Sequence, residues 1–347
     1  MLTSEFDFTL PDELIAQHPV KPRDASRLMV VDRRAGTIAH RHFDELPEIL
    51  DSRDLLVRNN SQVLPARLIG RRAATRGKWE GLFLDERPDG SWEILARTRG
   101  RPAAGETVVV GEGLRLVLES READGRWIVR PSLQGEPETG TPAVLHRHGR
   151  PPLPPYIRGG VAEADDEATY QTVYARRPGS VAAPTAGLHF TDAVFARLKA
   201  RGVRTLDVTL HVGVGTFRPI EAETLDAHVM HAEWAELDAE SAAALQDQHH
   251  RGGRIVAVGT TSARTLETAA ASGVFEPFQG RTELFIRPGH AFHAVDVLLT
   301  NFHLPKSSLL VLVSSLGGLD LIRRAYAEAV LQRYRFYSYG DAMLIIA

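Results

Sequence analysis

The sequence predicts an α/β protein in which a mostly parallel sheet domain carries an inserted all-β barrel domain. Three observations lead there. Towards both ends of the chain, apolar strand-like runs alternate with helical runs across polar or Gly-rich loops, the pattern of a parallel sheet covered by helices. From about Val63 the pattern becomes short strands separated at close spacing by Gly, Asp and Pro turns, with no helix until about residue 140. The stretch HGRPPLPPYIRGG, residues 148–160, then forces an extended connection, because its prolines do not fit inside a helix. Residues 1–62 and 151–347 are therefore expected to form one discontinuous α/β domain, and residues 63–150 the insert.

In chain order, LPDELIAQH reads as a short helix, and RLMVVDRRAGTIAHRHF as two strands around a turn at Arg34-Ala35-Gly36. FDELPEIL follows as a helix and DLLVRNN as a buried strand. The insert supplies ARLIGRR, WEGLFLDERPDGSWEILART and ETVVVGEGLRLVLESREADGRWIVRPS as strands. After it, TDAVFARLKARG is a helix with Thr191 as N-cap and Gly202 as its stop. VRTLDVTLHVGVGTF is a strand entering a Gly-rich turn, and AESAAALQDQHHRGG is a helix. RIVAVGTTSARTLETAAASG and AVDVLLTNFHLPKSSLLVLVSSLGG each read as strand, loop and helix. A helix through LIRRAYAEAVLQRYRF precedes the strand DAMLIIA. In such a sheet, ligands sit beyond the carboxyl ends of the strands.

Composition removes several function classes. The chain has 347 residues, 43% of them hydrophobic and 24% charged, enough for two sizeable cores. With no cysteine, disulfides, thiolate nucleophiles and Cys-ligated metal centres are excluded. No run approaches the roughly 20 apolar residues of a membrane span, and the acidic start MLTSEFDFTLPDEL is unlike a signal peptide, so a cytoplasmic protein is expected. A monomer is the default in the absence of a long exposed apolar stripe. The net charge of -3 makes the whole molecule no general nucleic-acid binder, so an RNA contact needs a local patch. Arg67, Arg71, Arg72, Arg76 and Lys78 form one such run, although taken alone such a run is more often a solvated strand and turn.

Four loops couple backbone freedom to polar side chains: APTAGLHFT, LHVGVGTFRP, VGTTSART and LTNFHLPKSS. Gly187, Gly213, Gly215 and Gly259 permit close approaches that a β-carbon would block, while helix starts present N–H groups to polar ligands. Each loop taken singly is also a plain α/β turn. No Gly-x-Gly-x-x-Gly and no P-loop pattern is present. His189, His211 and His303 occupy these loops or the strand end leading into them, where an imidazole suits general acid–base work. DAHVMHAE places His228 and His231 at a spacing that would share a helical face, with Glu233 nearby. No further ligands are marked, so no metal site is expected. His249 and His250 read as surface, Asp24 as a turn cap or an arginine partner, and Ser314 and Ser315 lack a nucleophile elbow.

The segments LIAQHP, PRDASRLMVVDR, NNSQVLPARLIG, LPPYI, YQTVYA, GSVAAPTAGLHFT, HVGVGTFRP, MHAE, GTTSARTLE, LTNFHLPKSSLLVLVSSLGG and YRFYSYGDAMLI occur in one order along nearly the whole chain. Together they resemble the S-adenosylmethionine:tRNA ribosyltransferase-isomerase family of queuosine biosynthesis. Gln62 departs from that family's usual arginine, and SSLGG from its usual Ser-Ala-Phe-Ala-Gly. The resemblance implies an α/β domain with an inserted barrel, no recycled cofactor, and S-adenosylmethionine as ribosyl donor. The acceptor would be the aminomethyl-deazaguanine base at the wobble position of a tRNA anticodon loop, and the products epoxyqueuosine in tRNA, adenine and methionine.

That chemistry assigns expected roles. A sulfonium acidifies the adjacent ribose carbon, and adenine departs more easily when protonated, so at least one acid and one base near neutrality are needed. His189 and His211 are expected to move protons and His303 to orient or donate to substrate. Thr260, Thr261, Ser262, Asn301 and Thr185 would hold polar groups of S-adenosylmethionine, with Gly187, Gly213 and Gly215 letting the backbone close in. Arg67, Arg71, Arg72 and Lys78 would contact tRNA phosphates, with Arg333 and Arg335 as the alternative patch. Tyr156 is expected to stack on the unstacked base; Phe190 and Phe217 either stack or pack in the core. A methyltransferase using the same donor would release S-adenosylhomocysteine, and a non-catalytic RNA-binding module would turn nothing over.

Overall fold

The computed structural model describes residues 1–134, 140–213 and 219–346. A nine-stranded sheet runs in the spatial order Phe278–Thr282, Glu233–Leu237, Arg204–Leu210, Asp54–Asn59, Arg254–Val258, Val297–Asn301, Ala342–Ile346, Arg27–Asp32 and Thr37–His42. Its four central strands, from Arg204–Leu210 to Val297–Asn301, are mutually parallel. Antiparallel pairs occupy the margins, and Ala342–Ile346 runs antiparallel to Val297–Asn301 but parallel to Arg27–Asp32.

Both faces are covered, so Leu55–Val57, Ile255–Val258 and Val297–Leu299 are continuous apolar runs instead of alternating. Leu55 and Val57 enter one core beneath the helices Ala239–His250, Gly259–Ala269, Ser308–Gly317 and Leu319–Leu331. Leu56, pointing the other way, enters a second core with Leu46, Val194 and Leu198 of the helices Leu46–Ile49 and Asp192–Ala200. The expected N-cap is present, with Thr191 Oγ1 accepting from the Val194 amide, and Gly202 adopts a φ of +80° at the other end.

The barrel is a separate closed sheet of Arg67–Arg72, Lys78–Glu86, Trp92–Thr98, Trp127–Leu133, Leu114–Arg121 and Thr107–Val110. Pairing of Arg71 with Val109 and Arg72 with Val108 closes it, which leaves no free edge. Trp79, Trp92, Ile94, Leu116 and Val129 fill the interior.

Two predicted helices are shorter than expected. Of LPDELIAQH only Asp12–Leu14 is helical, as a single 3-10 turn, because the next backbone groups pair with Phe336. FDELPEIL divides into a 3-10 turn, Phe43–Glu45, and the one-turn helix Leu46–Ile49.

Candidate active site

The parallel strands Arg254–Val258 and Val297–Asn301 end at one edge of the sheet. Gly259, at a φ of +85°, turns the first of them directly into a helix, and a β-carbon there would meet the Ala186 methyl at 3.5 Å. The 3-10 segment Thr185–His189 lies across the ends of these strands, and Tyr337 and Ser338, just before the strand Ala342–Ile346, close the edge.

A relay of hydrogen bonds ties these segments together. The Thr185 hydroxyl donates to Asn301 Oδ1 at 3.1 Å. Asn301 Nδ2 donates to the Tyr337 carbonyl at 3.1 Å and faces His189 Nε2 at 3.2 Å. With the amide oxygen already accepting, Nε2 must accept as well, so the proton sits on Nδ1 and is donated to Ser26 Oγ at 2.7 Å. His189 is completely buried and stacks on Phe43. Burial, reinforced by the nearby Arg23 and Arg335 guanidinium groups, holds its pKa well below the usual histidine range.

In front of Asn301 lies a cleft whose wall includes Thr185, Gly259, Thr260, Thr261, Thr300 and His303. A second crevice shares Thr185, Asn301 and His303 with it and is lined further by Tyr156, Tyr337 and Ser338; together the two make up the cleft. Among the described residues no lysine or arginine lines it. His303 Nε2 is 2.7 Å from the Thr300 hydroxyl, and burial pushes the ring's pKa down to about 3. The Tyr156 ring packs against Tyr337 at 4.6 Å between centroids, with its hydroxyl 2.7 Å from Ser338 Oγ.

Thus Thr185, Thr260, Thr261, Asn301, His303 and Tyr156 come together, whereas other predicted residues lie elsewhere. His211 is stacked on Trp234 with its ring against Gly179, outside this cleft, and burial lowers its pKa too. Burial thus shifts all three histidines in the same direction, towards the neutral ring. Gly187 faces inward, where a β-carbon would collide with the Tyr174 hydroxyl, so its small size serves packing and not a ligand. The Ser262 hydroxyl turns back to the Val258 carbonyl. Gly213 donates its amide to Glu233; Gly215 and Phe217 fall outside the described residues. Phe190 is core, stacked on Phe195.

On the barrel the cationic run splits. Arg72 is 8% exposed and grips Glu106 through two nitrogens, one at 2.8 Å, so it is not free for a phosphate. Arg67 is held by the Gly160 carbonyl and by Glu80 at 3.2 Å. Arg71, Arg76 and Lys78 are exposed. His228 and His231 lie beyond the short turn Leu225–Ala227 on an irregular segment, so the predicted shared helical face does not form.

Sequence reasoning did not single out Ser26, Tyr337 or Ser338; the only signal was their place in PRDASRLMVVDR and YRFYSYGDAMLI. Nor did it find the buried ion pair of Glu233 with Arg264, whose remaining nitrogens reach the Leu284 and Thr282 carbonyls.

Comparison with known proteins agrees with this architecture. The family described as "Queuosine biosynthesis protein" matches residues 3–345. S-adenosylmethionine:tRNA ribosyltransferase-isomerases from Anaeromyxobacter dehalogenans and Symbiobacterium thermophilum are each 52% identical over the whole of this chain, which spans 99% and 100% of them. The crystal structure of S-adenosylmethionine tRNA ribosyltransferase from Thermotoga maritima superposes with a TM-score of 0.57 at 40% identity, covering 99% of this chain and all of that one. Matched from end to end in sequence and sharing the fold, the chain belongs to the S-adenosylmethionine:tRNA ribosyltransferase-isomerase family of queuosine biosynthesis.

Proposed function

We propose that the cleft in front of Asn301 binds S-adenosylmethionine. The protein transfers and isomerises the donor's ribosyl group onto the aminomethyl-deazaguanine base at the tRNA wobble position. The products are epoxyqueuosine in tRNA, adenine and methionine. Family membership supports the reaction class. The observation that carries the assignment to this cleft is its wall: hydroxyls, an amide and a neutral imidazole, with no lysine or arginine among the described residues. A sulfonium meets no cationic side chain in that wall, and a polar nucleoside finds donors and acceptors.

Within this reading, His303 is the residue that faces the reacting ribose. Thr300 fixes its Nε2, and its Nδ1 makes no hydrogen bond among the described residues, which leaves that atom for proton handling. His189 is a positioning residue: it acts through Asn301, and Thr185 holds the other side of the same amide. Tyr156, backed by Tyr337, supplies a face for the base, and exposed Arg71 and Lys78 contact phosphates.

One incubation tests it. S-adenosylmethionine with precursor-bearing tRNA should release adenine and leave ribosylated tRNA. Release of S-adenosylhomocysteine, or no turnover by the folded protein, would refute the assignment.

A further inference from the structure

The helix Gly259–Ala269 has no side-chain cap: the residue before it is Val258, which offers no oxygen to the first turn. The opening N–H groups of any helix lack intrahelical partners and carry the positive end of its dipole. Here those groups lie in the cleft wall, at Gly259, Thr260 and Thr261. An independent feature marks the same spot. The Thr261 side chain is more than nine-tenths buried, and its Oγ1 has no hydrogen-bond partner among the described residues. That hydroxyl sits over the helix start, 3.6 Å from where a β-carbon on Gly259 would be. A buried hydroxyl without a partner costs free energy unless a ligand completes it.

We propose that this helix start and the Thr261 hydroxyl together bind the α-carboxylate of S-adenosylmethionine. The inference rests on the reading of the cleft as the S-adenosylmethionine site, and adds which end of the donor lies where. A carboxylate suits the place better than a nucleic-acid phosphate. It is small enough for a narrow crevice, and the donor's own sulfonium and ammonium balance it, so no lysine or arginine is required. With the carboxylate at Thr261, the nucleoside end points along the cleft past Asn301 and His303 towards Tyr156 and Tyr337.

The test is a calorimetric comparison, on the full chain without tRNA, of three ligands: S-adenosylmethionine, its decarboxylated form and 5′-methylthioadenosine. Wild type should bind S-adenosylmethionine about ten- to a hundredfold more tightly than the decarboxylated form, the range for charge-assisted hydrogen bonds. Thr261→Val should narrow that preference about tenfold while leaving 5′-methylthioadenosine binding unchanged, and Thr261→Ser should keep it. Binding of all three ligands with no preference for the carboxylate overturns the inference but leaves the functional reading standing. Failure of all three to bind overturns both. An equal loss for all three in Thr261→Val would make the residue a packing element and refute its role. In a separate titration with tRNA, a loss of tRNA affinity in Thr261→Val with S-adenosylmethionine binding intact would assign the helix start to a phosphate and refute it too.

Discussion

Burial of His303 makes a quantitative prediction about acid stability. The ring ionises at about 3 in the folded protein, against an ordinary value of 6.5. Below pH 6.5 the unfolded chain binds a proton at this position that the folded chain refuses. Stability is therefore whole above that pH, falls as the pH drops towards 3, and levels off beyond it. Each pH unit within the window removes about 1.4 kcal/mol, so acidification from about pH 7 to pH 5 costs about 2 kcal/mol through His303 alone. His189, lowered in the same direction and for the same reason, adds to the loss. Urea unfolding at both pH values, on wild type and His303→Gln, isolates the contribution, because the carboxylate titrations cancel in the comparison. The variant should lose about 2 kcal/mol less than wild type over that interval. Equal losses would mean that His303 titrates near its ordinary value and that burial does not control it. The same neutrality predicts that His303 produces no acid limb in the rate profile between about pH 5 and 8.

Gly187→Ala should destabilise the protein by about 1–3 kcal/mol through its clash with the Tyr174 hydroxyl. Adding Tyr174→Phe should restore part of that in thermal unfolding: the hydroxyl has no partner to lose among the described residues, but Thr172 Cγ2 at 2.8 Å and the ring carbon Cζ at 2.9 Å would still crowd the new methyl. Asn301→Ala, which strands His189 Nε2 and releases Thr185, should cost about 1–3 kcal/mol of stability and raise the KM for S-adenosylmethionine. An unchanged KM would detach the relay from the cleft. Arg71→Ala and Lys78→Ala should each lower the salt slope of tRNA binding by about 0.7–0.9. Arg72→Ala should leave that slope alone and loosen the barrel instead, because it abandons the partly buried Glu106.

The architecture was largely readable from the chain. Repeated strand, Gly-rich loop and helix units announce the sheet, and the helix ending at Gly202 carries its cap and stop within a dozen residues. Turn spacing likewise announces the barrel. The candidate site was legible as a set of loops but not as a set of roles. Whether a histidine is exposed at a loop or sealed behind one depends on partners far away in sequence: Ser26 lies 163 residues from His189, and Asn301 lies 112. Arg72 looks free in a run of cations because Glu106 is 34 residues further on. Gly187 looks like a ligand-facing glycine because nothing local shows Tyr174 packing on it. LPDELIAQH has helical composition, but pairing of its backbone with Phe336 prevails, a tertiary contact that local propensity does not contain.

The position of the strand Ala342–Ile346 has a further consequence. It lies inside the sheet, between Val297–Asn301 and Arg27–Asp32, and it is the last of the described strands to be synthesised. Until residues 342–346 have been made, Arg27–Asp32 with Thr37–His42 and the six strands from Phe278–Thr282 to Val297–Asn301 are two sheet fragments with nothing to join them. Tyr337 and Ser338 come only just before that strand, so the cleft cannot form until residue 338 has been made. Chains interrupted before Tyr337 should therefore lack one wall of the cleft.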